Sequence, residues 1–417
     1  MLTSSADVVV IGAGAAGLAA VRRLAEHPLS VLVLEARKRV GGRAWTVTGP
    51  GEAALDLGCG WLHSADRNPW TRIAQDLGFT IDRTPAPWGP KNRTLGWTEA
   101  ERQAFGAAWD AFAERLRAAA REDCDRPAAD LLEPHGRWNG LLDAISTYRN
   151  GVELDSVSVH DDANYADTGV NWRVVEGYGT AIAAYGAAAP VALDTCVTCI
   201  DHGGARLRIE TGRGDIEARA AIVTVPSTMI ASGALRFRPD LPDKVEAAAG
   251  VPLGLADKLF LALDGAEEFP PGTRLFGRTD RTGTGTYHIR PFGRPLIEGY
   301  VGGRLAQELE RGGEGAFAAF AMDELAGVLG GGIRKRLTPV AVSAWGADSY
   351  ARGSYSHALP GRAACHTALA APVDARLFFA GEACSVHDFS TAHGAYLTGR
   401  RAAEQALEAL RSERRRA

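Results

Sequence analysis

Asp7-Val-Val-Val-Ile11 runs directly into Gly12-Ala-Gly14-Ala15-Ala-Gly17, and a second apolar run, Val31-Leu-Val-Leu34, ends on Glu35. These pieces read as a strand, a glycine turn, a helix, a second strand and an acid, in the order that holds a dinucleotide. Gly12 permits the tight turn, Gly14 lets the backbone approach a pyrophosphate, and Gly17 packs helix on strand. The helix N-terminus then presents partial positive charge to the phosphates. Glu35 follows Gly17 at close to the ~20-residue separation expected of an acid that binds a ribose 2′-hydroxyl. A lone GxGxxG is a weak signal; flanked by both strands and closed by the acid, it predicts a dinucleotide-binding α/β domain.

Directly after Glu35 come Ala36 and Arg37-Lys-Arg-Val-Gly41-Gly42-Arg43. The glycine pair and the arginines bring a second set of backbone N–H groups and guanidinium charge to the same diphosphate. Near the other end stand Arg376-Leu-Phe-Phe-Ala-Gly381-Glu382-Ala-Cys384 and Ser390-Thr391-Ala392-His393-Gly394-Ala395-Tyr-Leu-Thr-Gly399-Arg400. Together these segments resemble the opening and closing flavin motifs of the flavin amine oxidase superfamily, the latter written "FAGE" followed by "HGA-x-x-SG". The resemblance implies an α/β fold in which an FAD-binding Rossmann-like domain is interleaved with an α+β substrate domain. It also implies FAD as cofactor, a small-molecule amine as substrate and O2 as electron acceptor.

Composition is compatible with that reading and removes others. The chain has 417 residues, enough for two domains, and 46% of them are apolar. A net charge of −4 and a pI near 6.2 point to neither nucleic acid nor an anionic membrane. No basic n-region or long apolar run suggests a signal peptide or membrane span. The cysteines are scattered, and Cys196-Val-Thr-Cys199 lacks a partner pair or nearby histidines, so free thiols, no metal site and a cytoplasmic location are expected. Oligomeric state is not readable.

The pattern along the chain is interleaved, and the resemblance implies a discontinuous FAD domain over residues 1–65, 186–245 and 341–417, with a substrate domain over 66–185 and 246–340. In the first excursion Phe105, Trp109, Phe112 and Leu116 recur at helical spacing behind a Thr98/Glu101 capping box. They are expected to be core rather than cofactor surface. Residues 206–210 and 220–225 read as strands returning to the FAD sheet, where the resemblance puts Val197 near the adenine. Residues 258–263 and 295–301 read as strands of the substrate-domain sheet.

Lys258 is the leading catalytic candidate. The chain has five lysines among 46 basic residues, so arginine is its usual cation, yet a lysine heads an apolar strand. Composition alone favours a strand-end lysine that snorkels to solvent. The resemblance reverses this, because Gly254-Leu-Ala-Asp-Lys258-Leu-Phe-Leu is similar to the family segment whose lysine contacts flavin N5 through a water. The implied chemistry moves a hydride equivalent from the carbon beside an amine nitrogen to flavin N5, after which the imine hydrolyses and O2 is reduced to H2O2.

Further roles come from the same resemblance. Tyr355, in Gly353-Ser354-Tyr355-Ser356, is the expected aromatic wall beside the flavin, and Trp345 packs against its rings. Ser354 stands where monoamine oxidases have a flavin-linking cysteine, so FAD should be noncovalent. Thr391 replaces a second aromatic, as in polyamine oxidases. Asp56-Leu-Gly-Cys-Gly60-Trp61-Leu-His63 resembles the polyamine oxidases' "LG-x-x-W-I-H", with Gly60 and Trp61 on the cofactor and His63 in the substrate channel, helping to keep the amine neutral. Glu176, Asp161 and Asp162 are available to attract a cationic amine, with solvent-facing acids the equal alternative. A desaturase or porphyrinogen-type oxidase, or a flavoprotein scaffold without turnover, are the competing readings.

Overall fold

Valine, isoleucine and alanine runs bounded by glycine turns dictate a largely parallel sheet buried on both faces. The computed structural model describes residues 4–88 and 94–416. Its larger sheet runs in the order Arg236–Arg238, Val197–Asp201, Leu207–Thr211, Ile216–Val223, Ser5–Ile11, Val31–Leu34, Val191–Ala192, and Leu377–Phe379 also pairs with Ile216–Val223. Ser5–Ile11 lies parallel to both neighbours, with Val9 opposite Ala221 and Leu32. The strand Leu377–Phe379 is likewise parallel, Phe378 facing Ile222. Distant parts of the chain therefore complete one nucleotide-binding sheet.

The glycine turn behaves as its residues require. Gly12 has φ +105, and a Cβ there would lie 2.6 Å from Thr224 Oγ1; a Cβ on Gly17 would lie 1.9 Å from the Gly12 carbonyl oxygen. The helix Ala15–Leu24 packs on the long helix Ala392–Arg416, with Gly399 the point of close approach: a Cβ there would meet Ala16 O at 2.1 Å. Leu18, Leu24, Ala402 and Ala406 share one apolar core with Val8 and Val10.

The second sheet is antiparallel, in the order Thr273–Phe276, Thr286–Ile289, Leu296–Gly302, Ala256–Leu263, Leu337–Val342. Strict alternation divides its residues. Leu259, Leu261, Leu275, Ile289 and Ile297 bury against Ala321 and Leu325 of the helix Glu314–Leu329. The opposite parity carries Lys258, Glu298, Tyr300, His288, Arg274 and Phe276. Among the described residues no helix is long and apolar enough to cross a membrane.

Trp70, Ala74, Val174, Tyr178 and Ile182 pack in one core with Val8, Val10 and Leu18, and Ala247, Ala248 and Val251 pack with Ile200 and Phe237, so apolar contacts cross the expected domain boundaries. The helix Glu99–Ala119 has its capping box. Phe112 is buried in a core cluster with Leu142 and Val157, Phe105, Trp109 and Leu116 pack against the same cluster, and Phe105 and Trp109 also line the cavity described next.

Candidate active site

One cavity of about 1360 Å³ runs between the two sheets. Pockets for drug-sized ligands span ~300–1,000 Å³, so this one has room for a dinucleotide and a further small molecule. Gly12, Gly14, Ala15, Glu35, Ala36, Arg37, Gly41, Gly42 and Arg43 form one stretch of its wall. Gly60, Trp61, Val197, Trp345, Gly381, Glu382, Thr391 and Ala392 continue it, and Lys258, His63 and Tyr355 complete the predicted set. Gly17 alone stands off the wall, where its role is packing beneath the turn.

The nucleotide end fits a dinucleotide. Gly14 caps the helix Ala15–Leu24 without any side-chain hydrogen bond, which leaves helix N–H groups available to a phosphate. Gly41 and Gly42 hold φ of +96 and +59 and bring their loop against Gly14, with Gly41 N–H donating to Ala13 O at 2.8 Å. Glu35 is buried and accepts from the Ala13 and Arg37 amides, both at 2.8 Å; a carboxylate has further lone pairs for a ribose hydroxyl. Arg43 reaches Glu382 at 2.8 Å and the Ser354 carbonyl at 2.7 Å. Burial alone would raise the Glu382 carboxyl, but Arg43 and the Ser356 hydroxyl outweigh it and hold it below its ordinary range.

At the reacting end Lys258 is buried, and its Nζ donates to the Asp56 carbonyl at 2.9 Å. A Cβ on Gly60 would lie 2.9 Å from that nitrogen, so the glycine makes room for the ammonium. Trp345 is fixed by Nε1 donating to Leu57 O at 2.9 Å. The Ser354 hydroxyl exchanges hydrogen bonds with both backbone groups of Ala256, at 2.9 and 2.7 Å. Tyr355 donates its hydroxyl to the Tyr148 carbonyl. His63 Nδ1 sits 2.6 Å from Asn171 Oδ1, and burial pulls its imidazole below the ordinary value although Asn171 opposes this.

The hydroxyl of Thr391 is engaged. It accepts from Gly394 N–H at 2.9 Å and donates to Asp388 O at 2.7 Å, the bonding of a helix N-cap. Of the three candidate acids, Asp161 is 1% exposed and binds His366 at 3.0 Å, so it is neither solvent-facing nor in the cavity. Glu176 is off the wall and accepts from Thr80 N–H at 2.9 Å. Asp162 is on the wall, 3.3 Å from Arg149.

Sequence reasoning missed the partner of the lysine. Glu298 is 0% exposed, with Oε1 3.3 Å from Lys258 Nζ and Oε2 2.9 Å from Arg173 Nη1; Tyr300 donates to it at 2.8 Å. Burial would raise its carboxyl, but Arg173 and Lys258 hold it well below the usual range. Register explains the meeting: Lys258 faces Tyr300 and Phe260 faces Glu298, so lysine and acid are diagonal neighbours on one face. The available signal was an acid inside the apolar run 295–301, matching a lysine inside 258–263.

Comparison with known proteins follows the same lines. The sequence pattern of flavin containing amine oxidoreductases matches residues 15–164 and 103–407. Polyamine oxidase 3 of Oryza sativa subsp. japonica is 30% identical over 443 residues, covering 96% of this chain and 88% of that protein. Polyamine oxidase 2 of Arabidopsis thaliana is 29% identical over 447 residues, covering 97% and 88%. A solved structure of a putrescine oxidase double mutant, from a redesign of its cofactor binding, superposes with a TM-score of 0.75 at 19% identity, covering 98% of this chain and 100% of that one. At that identity the superposition speaks to the fold.

Proposed function

The chain belongs to the family of flavin containing amine oxidoreductases, and we propose that it is an FAD-dependent oxidase of an extended alkyl amine, polyamines and their acylated forms being the first class to test. The carrying observation is a buried ammonium, Lys258, set beside Gly60 in a cavity whose other end is a dinucleotide-type glycine turn. Relatives named polyamine oxidases support the substrate class.

FAD, when bound, supplies the two-electron acceptor for the carbon–hydrogen bond beside the amine nitrogen; the resulting imine hydrolyses, and O2 takes up the electrons as H2O2. The chain's residues divide the remaining work. The glycine turns, Glu35, Val197 and the segment from Gly381 to Ala392 would hold the cofactor. Lys258 holds a water or a proton at Nζ, kept in place by Asp56 O and Glu298. Tyr355, anchored through its hydroxyl, walls the amine's path. His63, whose imidazole is kept neutral by burial, is suited to take a proton from an ammonium arriving at the site. Ser354 offers no sulfur for a thioether, so the cofactor is held without a covalent bond.

The experiment is anaerobic mixing of the yellow holoenzyme with mono-, di- and polyamines and acetylated polyamines, followed by the same panel in air with coupled peroxide detection. Bleaching of the flavin by the extended amines is expected. Reduction by a simple aromatic monoamine alone would overturn the polyamine assignment, and no reduction by any amine would overturn amine oxidation itself.

A further inference from the structure

The substrate half of the cavity is short of acids. Glu298 already answers two cations, Lys258 and Arg173. Asp162 is paired with Arg149, and Asp167 accepts from Gly169 N–H at 2.8 Å. On the helix Glu99–Ala119, Glu99 is paired with Arg102 and Asp110 is exposed at the rim. Two cations on the wall lack a carboxylate partner among the described residues, and one of them, Arg352, is exposed and donates to Ser232 Oγ at 3.1 Å. The other, Arg274, has no carboxylate within ion-pair distance among the described residues, and its Nε donates to Thr286 Oγ1 only over a long 3.4 Å. Its guanidinium lies 4.2 Å above the Phe276 ring. Burial pulls it down to about 10, Tyr148 opposing, so it is charged at neutral pH.

We propose that the cavity takes an amine whose far end carries a carboxylate, bound by Arg274. This rests on the amine-oxidase reading, and puts amines with an anionic far end ahead of the polyamines named there. Register supplies a ruler. Arg274 pairs with His288, His288 with Glu298, and Lys258 with Tyr300, so Lys258 and Arg274 stand on the outer two of four neighbouring strands. Lys258 leans one strand toward Arg274, with Nζ 5.1 Å from the Tyr300 ring, which leaves two to three interstrand spacings, about 10–14 Å. The amine and carboxylate of an α-amino acid lie within one residue, about 3.8 Å, too little to span it. The row between is Tyr300, Thr286 and Phe276, with Trp97 stacked on Phe276 at 5.6 Å, a lane for methylene groups. A planar guanidinium is matched to a carboxylate by paired hydrogen bonds. A second ammonium at that point would face Arg274 without an acid to shield it.

The test compares octylamine, diaminooctane and aminooctanoate as reductants of the wild-type holoenzyme, with Arg274→Met beside it. A charge-assisted hydrogen bond predicts kcat/KM for aminooctanoate about 10- to 100-fold above octylamine, diaminooctane below both, and collapse of the aminooctanoate/octylamine ratio to near one in the variant. In parallel, octanoate titrated into wild-type holoenzyme should perturb the flavin absorbance, with binding at least about tenfold weaker in Arg274→Met. Equal wild-type values for octylamine and aminooctanoate, or a preference for diaminooctane, would overturn the proposal while leaving amine oxidation standing. If none of the three reduces the flavin while a polyamine does, this inference fails and amine oxidation stands; if no amine of either panel does, both fail.

Discussion

Glu298→Gln isolates the buried ion network at almost no change in volume. The carboxylate is 0% exposed and lies 2.9 Å from Arg173 and 3.3 Å from Lys258; the amide leaves both cations buried with no counter-charge. Removing one partner of a buried pair costs about 3–5 kcal/mol, and here a single substitution strips two cations of their acid, so the upper half of that range is expected. The dependence on pH carries the diagnosis. Glu298 is depressed in the folded state, so its contribution is complete above the unfolded carboxyl value of about 4.3 and is lost as pH falls through the lower folded value. Holoenzyme unfolded in urea should therefore show a gap between wild type and variant that is constant from about pH 6 to 8 and narrows below about pH 4. A variant as stable as wild type at pH 7, or a gap that does not respond to acid, would show that Glu298 does not hold Lys258 and Arg173 as described.

Lys258→Met keeps length and removes the ammonium; flavin reduction, reoxidation or both should slow by at least about tenfold in stopped flow, roughly 1.4 kcal/mol of barrier, and unchanged rates in both half-reactions would take Lys258 out of the mechanism. Glu35→Ala should weaken FAD retention on gel filtration while leaving the reduction rate of the loaded fraction unaltered. Acid precipitation should release the yellow colour to the supernatant, because Ser354 cannot form a thioether; colour in the pellet would refute this. With an alkyl amine that ionises near 10, kcat/KM should climb from about pH 7 to 9, and His63→Ala should lower kcat/KM with little effect on flavin content, since the neutral imidazole would be gone.

The nucleotide end was legible because its geometry is local. Gly12, Gly14 and Gly17 act within one turn, and the strands around them announce themselves as apolar runs. Lys258 was legible as an anomaly in such a run. Glu298, Arg173 and Arg274 were not, because their meaning arises from pairing between segments tens of residues apart: only the register that sets Phe260 against Glu298 turns two stray charges into a pair. Helical periodicity likewise reported that Phe105 and Trp109 share an apolar face but not that the space beside this face is hollow. Thr391 was read as a small residue in the site, whereas the backbone of the following helix claims its hydroxyl.

The pairing of the helix Ala15–Leu24 with the helix Ala392–Arg416, and of the strand Ile216–Val223 with Leu377–Phe379, imposes a delay on biosynthesis. Gly14 leaves the ribosome long before Gly381 and Thr391 exist. At about 5–20 residues per second, the early glycine turn waits on the order of 20–75 s for the segments that cover it. Through that interval the first helix can pack on Val8, Val33 and Ile182, but the face that Gly399, Ala402 and Ala406 come to cover stays open. The two glycine-bearing walls of the nucleotide end, Gly12 to Ala15 and Gly381 to Ala392, therefore come together only after almost the whole chain has been made.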